Sequence, residues 1–155
     1  MATSITRMAS FTTRQFGPVE YEDDAVVEFA DGLPAFETHT RFLLIERREL
    51  APILFLQSLV HPDLCFATLP VESLLPDYQL YVPFEEIADL GVDARTPTSD
   101  LLCLAILTTP AGGAPTANLK APVLINRSLR RGRQIIQVES PYSFAQVLEV
   151  AAGAV

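Results

Sequence analysis

Short apolar segments, each closed by proline, glycine or charged residues, recur along most of the chain. Residues 53–60 form one such segment between Pro52 and Pro62, and residues 64–69 form the next. Two such runs joined by a tight turn are typical of neighbouring antiparallel strands, so we expect them to pair. Strand spacing of this kind is that of an all-β barrel or sandwich. We predict a mainly β, compact, single-domain, barrel-like fold.

Residues 84–90 carry the one strong helix signal. Phe84, Ile87 and Leu90 recur at helical spacing, and Gly91 follows where a helix commonly stops. Acidic residues near the start suit the positive end of the helix dipole. We therefore predict one short helix near residues 84–90, with its three apolar side chains facing the core.

Neither an internal repeat nor a domain boundary interrupts the sequence. A chain of 155 residues is the size of one ordinary domain. We assign residues 1–13 to an N-terminal tail, 14–142 to a β domain and 143–155 to a C-terminal tail or short helix. The helical alternative rests on apolar residues at helical spacing within 144–151.

Composition narrows the class of partner. Hydrophobic residues make up 49% of the chain, which supports a proper core, and the net charge is −8. An acidic protein disfavours nucleic acid and suits a basic protein partner. Cys65 and Cys103 lie within apolar runs, so we interpret them as buried thiols in a reducing compartment. With no apolar stretch of signal-peptide length at the start, we expect a cytoplasmic protein without a membrane span.

Basic residues are concentrated in segment 120–133, which holds five of the eleven lysines and arginines. The alternative function is therefore an RNA-binding or other protein-binding β-barrel module that uses this segment. No aromatic side chain is interleaved there for stacking on bases, which disfavours direct RNA binding. The plainer interpretation is a solvated connection between strands at 127–133, with Gly132 supplying the turn.

Residues suited to catalysis are few. Ser58, His61 and Asp63 are the only local set with a nucleophile, a base and an acid, and they fall at a strand end and a turn. The histidines and cysteines lack the spacings of a zinc site, and no glycine-rich phosphate loop occurs. We predict no catalytic residue, metal or cofactor, with a hydrolase built on these three residues as a lesser alternative.

Gln57 and Ser58 are an odd polar pair within the apolar segment 53–60. Buried side chains of these types need hydrogen-bond partners, whereas near a sheet edge they would recognise a peptide backbone. Phe36 lies beside a turn, where its side chain would be either buried in the core or exposed to a partner. We expect it to be buried. The sequence leaves these alternatives open.

Five segments, taken together and in order, resemble one known family. They are FADGLPAFE (29–37), LFLQSL (54–59), HPDL (61–64), LPDY (75–78) and TANLKAPVLIN (116–126). The ordered set is similar to the FliW family of flagellar assembly factors. The resemblance covers about residues 14–142, so the assigned β domain is FliW-like.

The resemblance implies a function without catalysis. FliW proteins are cytoplasmic binding proteins with a compact β-barrel, and they bind newly made flagellin before its export. They also bind the translational repressor CsrA, a small basic RNA-binding protein that silences flagellin mRNA. Flagellin retained in the cytoplasm holds the factor and frees the repressor. After export the factor is released and antagonises the repressor, which couples flagellin synthesis to export.

The family pattern maps onto positions of this chain. Those positions are Gly32, Leu33, Pro34, Phe36, Gln57, Ser58, Pro62, Asp63, Pro76, Asp77, Tyr78, Asn118, Ala121, Pro122 and Asn126. Glycine and the prolines are expected to shape the fold. The residues that the resemblance implies for partner binding are Phe36, Gln57, Ser58, Asp77, Tyr78 and Asn118.

Two residues and the C-terminal tail depart from the family pattern. Glycine is common in the family at the position of Ala35, and alanine would strain a turn that needs a positive φ there. Lys120 stands where an apolar residue is expected, so that face is expected to be more exposed. The tail after Tyr142 is apolar and not basic.

Overall fold

Seven strands close into a barrel in the computed structural model, which describes residues 7–148. Eleven strands are described in all, of which β3–β7, β9 and β10 form the barrel. They are β1 (Met8–Thr13), β2 (Gly17–Glu22), β3 (Val26–Glu28), β4 (Arg41–Glu46), β5 (Leu54–Ser58), β6 (Cys65–Pro70), β7 (Leu101–Thr108), β8 (Thr116–Ala117), β9 (Val123–Asn126), β10 (Arg131–Gln134) and β11 (Gln146–Val147). One short α-helix, α1 (Val71–Leu74), and 3-10 helices at Asp23–Ala25, Arg48–Leu50, Phe84–Leu90 and Thr98–Asp100 complete the described elements.

The barrel runs in the order β7, β6, β5, β4, β3, β10, β9, and closes where β9 pairs with β7. Neighbours are antiparallel except β3 and β10, which are parallel. The predicted pairing of β5 with β6 across the His61–Pro62–Asp63 turn is confirmed, with Leu54 opposite Thr68. The mainly β, single-domain, barrel-like prediction is therefore confirmed.

Large apolar side chains fill the barrel. Phe29 and Phe42 meet edge to face at 5.1 Å between ring centroids, and both are 0% exposed. Leu56 and Leu104 pack with them from strands β5 and β7. Because successive residues of a strand point to opposite faces, their neighbours point outward and need a second layer.

A hairpin of β1 and β2 supplies part of that second layer. Its Phe11 and Val19 pack on Leu43 and Phe55, which are the outward-facing residues of β4 and β5. Both faces of β4 are thus covered, which explains why its sequence is a continuous apolar run and not an alternating one.

The helix predicted near residues 84–90 is present as a 3-10 helix and not as a regular α-helix. It breaks at Ile87, where φ is −116° and ψ is 17°, and it ends at Gly91 with φ 72° as expected. Ile87 and Leu90 are buried against β9, but Phe84 is 52% exposed, so the expectation that Phe84 faces the core is wrong.

The proposed division of the chain into 1–13, 14–142 and 143–155 stays a prediction. Met8–Thr13 form β1, so part of the assigned tail belongs to the hairpin. Within the candidate C-terminal helix at 144–151, the described residues form a turn and β11, and 149–151 lie outside the described residues.

A tight turn at 33–36 carries the predicted backbone strain. The N–H of Phe36 donates to the Leu33 carbonyl at 2.7 Å, and Ala35 at the third position has φ 71°. Proline followed by a residue with positive φ is typical of a type II turn, which favours glycine at the second of these positions. The departure from the family pattern at Ala35 therefore costs stability.

Replacing Ala35 by glycine is expected to raise the free energy of unfolding by roughly 0.5–1 kcal/mol, because glycine adopts positive φ without a Cβ clash. Urea unfolding of the purified protein measures this. Ala30→Gly, at an exposed site in the same loop without a positive φ, is the control and should lose about 0.5 kcal/mol. A loss at Ala35 equal to that at Ala30 would contradict the strain.

Candidate functional site

Ser58 shapes the turn that joins β5 to β6. Its side chain is 0% exposed, and its Oγ accepts the backbone N–H groups of Val60 and His61, each at 3.0 Å. Oγ also lies 3.3 Å from Nδ1 of His39. The hydroxyl thus satisfies backbone donors that the turn takes out of strand pairing.

Gln57 holds the same turn from the outer face of β5. Its Nε2 lies 3.0 Å from the carbonyl oxygen of Ser58 and 3.2 Å from those of Pro62 and Leu64. Gln57 is also 0% exposed. Both polar residues therefore fold the turn, and their assignment to partner binding stays a prediction that would have to act through the turn's shape.

Phe36 lies above this turn, beside a small surface hollow. The half-buried Phe36 ring meets the Phe66 ring edge to face at 5.6 Å and the His39 ring at 5.9 Å. A depression of about 180 Å³ is lined by Phe36 and His39 on one side and by His61, Asp63 and Leu64 on the other. The hollow is aromatic and partly exposed, and it lies at one end of the barrel.

The arrangement around Ser58 is that of a structural turn and not of a nucleophile. Nδ1 of His61 accepts the backbone N–H of Asp63, and the Asp63 carboxylate lies 3.7 Å from Arg14. The Ser58 hydroxyl lies near the other histidine, His39. A serine–histidine–acid relay needs consecutive side-chain contacts, and these contacts do not form one.

The two cysteines are poor ligands and poor nucleophiles. Burial raises the pKa of the Cys65 thiol to about 11 and that of Cys103 to about 12. Both stay protonated at neutral pH, whereas metal binding and nucleophilic attack need the thiolate. Within residues 7–148, no three histidine, cysteine or acidic side chains are grouped as metal ligands.

Tyr78 is the centre of a second polar cluster. Its hydroxyl donates to the Leu119 carbonyl at 2.6 Å and accepts from Nε2 of Gln137 at 2.7 Å, while its ring stacks on Tyr142 at 4.3 Å. Burial raises the pKa of Tyr78 far above its usual range, so the hydroxyl stays a neutral donor. Gln137 is 1% exposed, and its Oε1 accepts the N–H of Tyr81.

The remaining predicted residues fall near this tyrosine cluster. Asn118 is half-buried, and its Oδ1 accepts the N–H of Ala121 at 2.9 Å, which closes the bend before β9. Asp77 is exposed. The six predicted residues thus divide into a group around the His61–Leu64 turn and a group around Tyr78. Sequence reasoning missed Gln137 because nothing local marks it as buried.

Two arginines of the basic segment 120–133 make hydrogen bonds within the protein. Nη1 of Arg133 donates to the Glu86 carbonyl at 2.6 Å, and Nη1 of Arg131 donates to the Asp89 carbonyl at 3.4 Å. Two of its arginines therefore bind backbone carbonyls of the Phe84–Leu90 3-10 helix, Arg133 before the break at Ile87 and Arg131 after it. This arrangement favours the solvated connection over an RNA-binding face.

Gly132 does not supply the turn of this connection, contrary to the sequence interpretation. The positive φ of 56° belongs to Arg130, and Gly132 lies in β10. A Cβ on Gly132 would lie 2.4 Å from the ring of Phe29. Glycine is needed there because the strand passes directly over a core aromatic ring.

Comparison with known proteins decides the family. A sequence model described as FliW protein matches residues 10–148. The chain belongs to the FliW family. It is 36% identical to a protein named flagellar assembly factor FliW from Syntrophomonas wolfei, over 82% of this chain and 80% of that protein. A protein of the same name from Thermotoga neapolitana is 32% identical, over 86% of this chain and 89% of the relative.

A solved structure extends the likeness to three dimensions. The crystal structure of a flagellar assembly factor FliW superposes with a TM-score of 0.79 at 29% identity, over 90% of this chain and 96% of that chain. The barrel described above is therefore the FliW barrel. Among the helices of residues 7–148, none has the length and apolarity that crossing a membrane requires.

Ser58→Ala is expected to lower the free energy of unfolding by about 1–2 kcal/mol, because the N–H groups of Val60 and His61 lose their acceptor. Urea unfolding measures the loss. Ser73→Ala, at an exposed position of α1, is the control and should change stability by only a few tenths. Equal stability of the Ser58 variant and the parent protein would argue against a role in the turn.

Tyr78→Phe is expected to cost about 1–3 kcal/mol, since the buried Gln137 amide and the Leu119 carbonyl both lose a partner. Tyr81→Phe is the matched control, because the Tyr81 ring is 42% exposed and water can replace its hydroxyl contacts. Thermal unfolding of both variants makes the comparison. A similar shift in both would show that the Tyr78 hydroxyl is not the cause.

Proposed function

We propose that this chain is a cytoplasmic flagellar assembly factor that binds flagellin and antagonises the translational repressor CsrA. The observation that carries the proposal is family membership across almost the whole described chain. The family match spans residues 10–148, and the matched relatives are named flagellar assembly factors. Binding of these two partners couples flagellin synthesis to export, and the protein works by binding and not by catalysis.

Surface charge supports a basic partner. The net charge is −8, and exposed acids gather on β2 and the 3-10 helix that follows it, namely Glu20, Glu22, Asp23 and Asp24. Such a surface attracts a basic RNA-binding repressor, speeds its encounter and repels the RNA that competes for it. The chain meets both proposed partners in the cytoplasm, and it meets flagellin there before export.

The regulatory output requires that one partner oppose the other. If flagellin lowers the affinity for the repressor by some factor, the repressor must lower the affinity for flagellin by the same factor. Accumulated flagellin then withholds the protein from the repressor, and export of flagellin returns it. The coupling can therefore be measured by titrating either partner into the protein with the other partner already bound.

Calorimetric titration of the purified protein with flagellin, and separately with CsrA, tests the proposal. We expect saturable binding to each partner, and a weaker affinity for either one when the other is already bound. The titration with the repressor should weaken as salt is raised, because the exposed acids are screened. Absence of binding to both partners would overturn the proposal.

A double variant of the protein tests the RNA-binding alternative. Arg127→Gln with Arg130→Gln neutralises two exposed arginines of segment 120–133 and leaves intact the contacts that Arg131 and Arg133 make to the 3-10 helix. This double variant should bind flagellin and the repressor as the parent does. Salt-sensitive RNA binding that the double variant loses would favour the RNA-binding alternative instead.

A further inference from the structure

The chain continues in extended form past the end of β10. The N–H groups of Ile135 and Gln137 donate to carbonyls in segment 120–122, at 3.0 and 2.9 Å. Ile135 and Gln137 are buried, whereas Ile136 is 53% exposed and Val138 is 74% exposed. This alternation is that of an extended strand with one buried face and one paired edge.

The other edge of this extension is open among the described residues. β3 pairs with β10 only at Arg131, and no hydrogen bond within residues 7–148 uses the backbone N–H or carbonyl of Ile136. Backbone groups of successive strand residues point to opposite edges, so those of Gln134 and Ile136 point away from segment 120–122. Residues 134–136 therefore form an open edge that lies beyond the end of β3.

The open edge lacks the devices that keep strands apart. Residues 134–138 read Gln-Ile-Ile-Gln-Val, with no charge, no proline and no glycine. Isoleucine and valine favour the extended conformation. Proteins commonly protect exposed edges with lysine, proline or a bulge. An unprotected edge of this kind is suited to the addition of another strand.

Apolar side chains border the open edge. The N–H of Tyr81 donates to Oε1 of Gln137, and Nη1 of Arg133 donates to the Glu86 carbonyl, each at 2.6 Å. The chain between Tyr81 and Glu86 therefore runs alongside the extension. It carries the rings of Tyr81, 42% exposed, and Phe84, 52% exposed. Exposed apolar side chains grouped in this way are typical of an interaction site, and a strand added here would cover them.

Charge selects a second copy of the chain as the added strand. Arg131 and Arg133 precede the open edge and the exposed Glu139 follows it. Antiparallel pairing of two copies brings the arginines of each copy towards Glu139 of the other, and opposite charges across strands stabilise a pair. Parallel pairing would set like charges side by side. The same surface then serves both copies, as a closed twofold dimer requires.

The geometry of the chain fits one antiparallel register. Gln134 of each copy faces Ile136 of the other, so both outward-pointing residues exchange backbone hydrogen bonds. The chain turns at 138–139, where the N–H of Ser140 donates to the Gln137 carbonyl at 3.1 Å. The added strand thus ends before it reaches the position opposite Arg131, which β3 already occupies.

We propose that two copies of this chain associate through the open edge, by antiparallel pairing of residues 134–136 about a twofold axis. The inference does not depend on the proposed function, because no other protein takes part. Repulsion between two copies of net charge −8 opposes the dimer. Association is therefore measured at physiological salt, where that repulsion is screened.

Sedimentation equilibrium of the purified full chain tests the proposal, at protein concentrations up to about 1 mM, the weak end of specific association. The mass of the parent should rise with concentration from that of one chain towards that of two. Ile136→Lys should weaken association at least tenfold, because it sets two lysines close together across the twofold axis. Val60→Lys is the matched control, since Val60 is 54% exposed and Ile136 is 53% exposed, and it should associate as the parent does.

Glu139→Lys is a second edge variant, and it should also weaken association at least tenfold because it places a lysine beside the arginines of the other copy. Glu49→Lys, at an exposed site on another part of the surface, makes the same change of net charge and is the control. Hydrogen exchange measured by NMR should show the Ile136 amide of the parent slowing as concentration rises. Circular dichroism checks that every variant is folded.

A parent protein that stays monomeric over the whole concentration range would overturn the proposal. So would a dimer that both folded edge variants leave unchanged, or one in which the Ile136 amide exchanges as fast as in the monomer. A monomeric parent whose Ile136 amide becomes protected when flagellin is added would assign the open edge to that partner and not to a second copy.

Discussion

The pairing of β9 with β7 is the constraint on which the rest of the structure depends. β7 is the longest strand, with eight residues, and it pairs with β6 on one side and with β9 and β8 on the other. Closure removes the free edges of the seven-stranded sheet, and free edges are where β proteins aggregate. It also forces every barrel strand to present one face inward, which places large side chains such as Phe29 and Phe42 in a fully buried centre.

The closed barrel leaves the outward-facing apolar residues of its strands exposed unless other elements pack on them. The hairpin, the Phe84–Leu90 3-10 helix and α1 supply this second layer. The β1–β2 hairpin covers β4 and β5, and its end reaches the turn after β5, where the N–H of Arg14 donates to the Pro62 carbonyl. The Phe84–Leu90 helix covers β9, and α1 covers β7. The aromatic hollow lies beside the turn after β5, where the hairpin cover ends.

Local patterns in the sequence were enough to predict most barrel strands and the β5–β6 turn, and the family resemblance predicted the strained alanine at position 35. The strands and the turn depend on residues close together in the chain, such as proline and glycine at strand ends. Gln137 and Gly132 escaped prediction because their roles are set by distant residues, Tyr78 and Phe29. The roles of the polar pair Gln57 and Ser58 were only partly predictable from the sequence. The sequence required partners for them if they were buried. The structure supplies backbone groups of the turn for Ser58 Oγ and Gln57 Nε2, whereas the buried Oε1 of Gln57 has no hydrogen-bond partner among the described residues.

The surface of the molecule is large enough for two separate protein interfaces. A standard protein interface buries about 800 Å² on each side, whereas this protein exposes 9645 Å². Overlap of two partners is therefore not forced by lack of surface. β6 begins directly after the His61–Leu64 turn and ends at Pro70, where α1 begins. At about 3.4 Å for each residue, its six residues span roughly 20 Å. The strand therefore connects the aromatic hollow at one end with the α1 cover at the other, and both depend on the same closed sheet.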